Sequence, residues 1–122
     1  MPGTFLLVFT VGCNVLGGSA VWGGVSIASV LMVAVYALGG ISGACLNPAV
    51  SLALGMAKAL GAEGHSWTLV TMYSSVQLVA GVVAALCSSV LFGRSAMVGP
   101  TEGFGWLNAG LCEMVYTPLS GV

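Results

Sequence analysis

Few side chains in this sequence are equipped for chemistry. Among 122 residues there are two Lys or Arg, three Asp or Glu and a single His. Glu63 and His65 stand two apart in the run Gly61-Ala62-Glu63-Gly64-His65-Ser66 and could exchange a proton. General acid–base catalysis also needs a nucleophile or an orienting partner close by, and the run supplies neither. A solvated turn is the plainer reading, so no catalytic residue is assigned. Cys13, Cys45, Cys87 and Cys112 lie far apart in apolar surroundings, with no C-x-x-C pair and no metal-ligand spacing. Small buried thiols account for them, and no metal, disulfide or cofactor is expected. What remains is the hydrogen-bonding chemistry of neutral amides and backbone: Asn47 before Pro48 and Ala49, Asn14 four residues after Thr10, and Gln77 in a long apolar run.

The element that must position Asn47 is a short helix. Proline has no N–H and a φ already suited to a helix, so Pro48 belongs at the first helical position and Asn47 at the N-cap. The half-helix is expected over about 47–60, and the run behind its cap, Ala49 to about Leu60, is roughly 18 Å long, about half what is needed to cross the roughly 30 Å of hydrocarbon in a bilayer. It is expected to enter and return on one side. Gly39, Gly40 and Gly43 precede it and allow non-helical backbone, which at membrane depth is tolerated only where protein buries it or water lines it. A water-lined path is the reading that follows. An ordinary helix cap in a membrane protein of another kind is the alternative.

Composition places the whole chain in lipid. Its charged content is 4%, against roughly 25% in soluble domains, and its mean hydropathy is +1.10. It reads as an all-α, multi-pass integral membrane protein whose first partner is the bilayer; with two basic residues, nucleic acid is excluded as a partner. Helix 1 is expected over about 3–21, followed by an interfacial turn at Trp22, Gly23 and Gly24. Helix 2 follows over about 25–41, the half-helix over 47–60 and helix 3 over about 67–92. A polar loop over 93–108 leads to the start of helix 4, about 109–122. Thr10 and Asn14 share a helical face that turns inward, either to bond a neighbouring helix or to line a path. The same two roles are open to Gln77, because an amide in hydrocarbon must find partners. Ser74, Ser75, Ala80, Gly81, Ala84, Ala85, Ser88 and Ser89 give helix 3 the small residues that permit close helix approach in a bilayer.

The run Gly40-Ile41-Ser42-Gly43-Ala44-Cys45-Leu46-Asn47-Pro48-Ala49-Val50-Ser51 resembles the first Asn-Pro-Ala box of the aquaporin and aquaglyceroporin (major intrinsic protein) family. Gly3-Thr4-Phe5-Leu6-Leu7-Val8-Phe9 resembles the first family helix. Tyr73, Gln77, Ala80 and Gly81 resemble the third, and Glu113-Met114-Val115-Tyr116-Thr117 the opening of the fourth, so the likeness runs along almost the whole chain. The resemblance implies one of two inverted three-helix repeats: three transmembrane helices, a re-entrant half-helix and the start of a fourth helix, with two half-helices meeting at mid-membrane. The second box and the arginine of the outer constriction are absent, so an incomplete half is expected. Absent too is the glutamate that usually opens the first helix, since Met1-Pro2 stands there. Pro118 and Ser120 are unusual for an apolar helix start.

The function so implied is a passive channel for water and small uncharged solutes such as glycerol. Asn47, Pro48 and Ala49 would form the constriction, with the Asn47 amide donating to a passing oxygen and the half-helix dipole, about half a charge, repelling cations. The backbone carbonyls of Gly43, Ala44 and Cys45 would accept hydrogen bonds along the approach. Counting back from Asn47, Ile27 falls where the family places a selectivity-filter residue. Cys45 stands where many members carry histidine, which suggests a thiol open to mercurials. The family's tetramer implies a homo-oligomer, or else pairing with a chain that carries a second repeat. One rival is a non-conducting structural or regulatory subunit, because a lone repeat is expected to leave Gln77 and the re-entrant backbone uncovered. Another is a secondary transporter that holds an anion at the half-helix, which the shortage of intramembrane charge disfavours.

Overall fold

The computed structural model describes residues 2–18, 20–95 and 105–119. These are all-helical: α1 is Pro2–Gly17, α2 Ala20–Ser42, α3 Pro48–Ala59, α4 Trp67–Phe92 and α5 Trp106–Leu119, with no strand among the described residues. The first boundary differs from the sequence expectation. α1 ends at Gly17, where Gly18 takes φ +69° and donates its N–H to the Asn14 carbonyl at 3.1 Å. Two glycine pairs competed for this turn, and the earlier one is used. Trp22, Gly23 and Gly24 lie inside α2, where Gly23 faces Asn14 closely enough that an added Cβ would sit 3.7 Å from it. α5 starts at Trp106, before the expected 109, and residues 96–104 of the polar loop lie outside the described residues.

α2 and α4 are long and apolar enough to cross a membrane. α1, at 16 residues, is shorter than a full crossing. The apolar surface of the two long helices points outward: Trp22 is 68% exposed, Tyr36 85% and Val90 82%. Core helices of a soluble protein would hide such side chains, whereas lipid solvates them.

Close approach sets the directions of the helices. α1 lies along α4 in parallel, with Val8 beside Gly81, Gly12 against Ser88, and the Arg94 guanidinium donating to the Leu16 carbonyl. At Gly12 a Cβ would stand 2.5 Å from Ser88 Oγ and 2.9 Å from its Cβ, so a larger residue crowds this contact. α2 returns beside α1, tied by Asn14 Nδ2 to Ser26 Oγ at 2.6 Å. α3 runs antiparallel to α4: Ser51 bonds Gln77, while Gly55, further along, packs on Val70 and Trp67. The α3 N-terminus therefore stands at the level of Gln77, about 15 Å along α4 from Trp67 and about 22 Å short of Phe92. A helix of 12 residues thus begins near the middle of the longest apolar element and ends near its start, which is the re-entrant path.

Candidate functional site

The site is built where the non-helical link from α2 meets α3. Ser42 ends α2, and Gly43 (φ +63°) and Ala44 (φ +53°) both adopt left-handed backbone. That conformation is free for glycine and costs roughly 1–2 kcal/mol for alanine. Asn47 is extended (φ −131°, ψ 135°) and caps α3, its Oδ1 accepting from the Ala49 N–H at 2.9 Å. With the acceptor so used, the Asn47 NH2 group is left over. No described residue accepts from it. It stands beside the positive end of the α3 dipole.

The link is held from two sides by buried side chains. Thr4 Oγ1 of α1 donates to the Leu46 carbonyl at 2.9 Å, and Gln77 Nε2 of α4 donates to the Cys45 carbonyl at 2.7 Å. Gln77 Oε1 in turn accepts from Ser51 Oγ at 3.2 Å, and Cys45 Sγ lies 3.0 Å from that same hydroxyl. Two consecutive carbonyls therefore point into protein. Those of Gly43 and Ala44 receive no hydrogen bond from any described residue, and Gly43 is exposed.

The expected site residues separate accordingly. Asn47, Pro48 and Ala49 form the cap and first turn of α3, with Asn47 and Pro48 half-buried and Ala49 exposed. The Cys45 carbonyl, expected beside Gly43 and Ala44 on the approach, is instead held by Gln77. The Cys45 thiol is fully buried, so the expected openness to mercurials is corrected: its sulfur faces Ser51. Gln77, expected to be uncovered in a lone repeat, is only 1% exposed and takes the helix-packing role. Asn14 does likewise, bonding the Thr10 carbonyl at 2.8 Å as well as Ser26. Ile27 lies in α2, half-buried and outside the cluster these hydrogen bonds define.

Two members of the cluster, Ser51 and Thr4, stand in the family-like runs of the sequence but were given no role there. Ser51 follows Asn47 by four positions, which places it on the same face of the half-helix and was a readable signal. Thr4 belongs to the run that resembles the first family helix, but nothing local says that a threonine near the start of α1 meets residue 46. Beside the link, Gly43, Leu54, Lys58, Ala62, Glu63, Gly64 and His65 line an open hollow. His65 stands against Tyr73 with ring centroids 5.6 Å apart, and its backbone N–H donates to the Leu54 carbonyl at 3.2 Å.

Comparison with known proteins points one way. The model of the family described as "Major intrinsic protein" matches residues 1–119. The chain is 29% identical, over 98% of its length, to Probable aquaporin NIP7-1 of Arabidopsis thaliana, and spans 44% of that protein. It is 34% identical, over 88% of its length, to Aquaporin NIP1-3 of Oryza sativa subsp. japonica, and spans 37% of it. The chain thus spans less than half the length of these curated relatives. No solved structure matches it significantly.

Proposed function

Because the chain belongs to the major intrinsic protein family, whose members are integral membrane channels and not enzymes, we propose that it supplies half the wall of a passive, multi-pass transmembrane channel for water and small uncharged solutes such as glycerol. One observation carries the reading: Asn47 uses its oxygen to cap α3 and has no acceptor for its NH2 group among the described residues, at the level of Gln77 midway along α4. An amide donor at that depth binds a passing water or hydroxyl oxygen without charge, while the helix end repels cations. The carbonyls of Gly43 and Ala44 lead to it from the open hollow beside Lys58 and His65 and offer acceptors to the hydrogens of the same molecules.

The path is walled on one side by α3 and its link. The opposite side is completed by a second half-helix, supplied by a chain with a second repeat or by another copy in a homo-oligomer. Stopped-flow swelling of proteoliposomes tests this. Osmotic water permeability above that of empty vesicles, from the chain alone or with a second-repeat chain, is the expected result. Vesicles that stay at the lipid baseline in both preparations overturn the channel.

A further inference from the structure

We propose that Gln77 is the positioning residue of the approach to Asn47, acting through a closed ring that joins Gln77, Cys45 and Ser51. The proposal rests on reading Gly43 and Ala44 as path-lining.

One assignment of donors and acceptors satisfies every member of the ring. The Cys45 carbonyl is purely an acceptor, so the amide nitrogen of Gln77 must face it, at 2.7 Å, and the amide oxygen must face Ser51. Ser51 has a single hydroxyl hydrogen. Three acceptors surround it, Gln77 Oε1 at 3.2 Å, the Asn47 carbonyl at 3.3 Å and Cys45 Sγ at 3.0 Å; given to Gln77 Oε1, whose oxygen has no other donor among the described residues, it leaves the thiol to donate to Ser51 Oγ. The circuit therefore runs from the Cys45 thiol to Ser51, to Gln77, and back to the Cys45 carbonyl. It joins the link to α3 and to α4 through three side chains, each at most 1% exposed.

A carboxamide is the neutral side-chain group that both donates to a carbonyl and accepts from a hydroxyl across this gap. By turning the Cys45 carbonyl inward, Gln77 fixes the Cys45–Leu46 peptide plane, one beyond the Ala44–Cys45 plane whose N–H donates to the Ser42 carbonyl at 3.4 Å, and so anchors the end of the link that presents the Gly43 and Ala44 carbonyls to the path. Thr4 fixes the next plane. Without Gln77 the Cys45 carbonyl is left buried and unpaired, and the cheapest relief is for the link to swing it toward water.

Cys45 itself reports the state of the ring. The full chain, reconstituted in vesicles, is treated with N-ethylmaleimide, and labelling of Cys45 is read by mass spectrometry for the parent, Gln77→Met, Ser51→Ala and Gly12→Ala. Gly12→Ala crowds Ser88 on the α1–α4 contact without touching the ring, and is the packing control. In Gln77→Met, Cys45 labelling should rise about tenfold, as expected when one buried hydrogen bond is lost from a local opening equilibrium. In Ser51→Ala it should rise by a smaller factor, and in Gly12→Ala it should stay at the parent level. Cys45 as protected in Gln77→Met as in the parent overturns the proposal, as does equal labelling in Ser51→Ala and Gly12→Ala, a comparison that holds even where Gln77→Met does not fold. Thiol labelling needs no conduction, so water permeability of the same vesicles judges the channel reading separately and should fall severalfold in Gln77→Met.

Discussion

At the scale of single residues, the oxygen and nitrogen of the Asn47 amide are divided between two tasks. The oxygen caps α3 through the Ala49 N–H, and the nitrogen is the proposed donor to permeating molecules. Substitution can separate the two. Asn47→Asp keeps a capping oxygen and removes the donor, so folding should be retained while proton and sodium leak through a conducting assembly rises. Ion flux into vesicles loaded with pH- and sodium-sensitive dyes measures this, and leak equal to the parent's in a conducting assembly would count against the donor role. Thr4 makes the complementary case, since its hydroxyl serves the fold alone. Thr4→Val leaves the buried Leu46 carbonyl without its donor and should lower stability by about 1–2 kcal/mol, read as an earlier thermal unfolding midpoint in detergent.

At the scale of elements, α3 is placed by contacts its own sequence does not reveal. Proline at its first position and asparagine at its cap announced where it starts, and its 12 residues announced that it cannot span. Its antiparallel lie on α4 comes from the Ser51–Gln77 bond and from Gly55, where a Cβ would come 2.8 Å from Val70. The parallel contact of α1 with α4 depends in the same way on one small pair. Gly12→Ala should cost about 1–3 kcal/mol by overpacking against Ser88, and Ser88→Gly should recover most of it. A double-mutant cycle on unfolding in detergent checks the pair, because independent sites would simply add. The misplaced turn between α1 and α2 belongs to this scale as well. Gly17-Gly18 and Gly23-Gly24 are equal as local turn signals, and the choice is made by Asn14, which needs Ser26 across from it and Gly23 close beside it.

At the scale of the whole molecule, the described residues hide few large apolar side chains and leave many outward. Lipid or detergent must cover that surface. The inward polar groups are a different matter: Gln77, Ser51 and Thr4 are buried and bonded, so they do not drive association as a lone repeat was expected to. What has no partner among the described residues is the Asn47 NH2 group and the Gly43 and Ala44 carbonyls, a short polar strip from the open hollow to mid-depth. We expect the purified chain to be oligomeric in mild detergent, since polar backbone facing hydrocarbon is costly. Size-exclusion chromatography with light scattering measures this, and a stable, monodisperse monomer would speak against the strip as an assembly surface.

The sequence alone determined that the chain is helical and lives in lipid, and it located the tip of the half-helix at Asn47. Composition and proline stereochemistry are local properties that any fold must respect. Only the tertiary structure decided which polar groups look inward. Gln77 could have lined a path or bonded a backbone, and the Cys45 carbonyl could have faced either way; both were settled by the approach of residues 32 positions apart in the chain. A carbonyl's direction follows from the donor that reaches it, and which donor reaches it is set by how the helices pack.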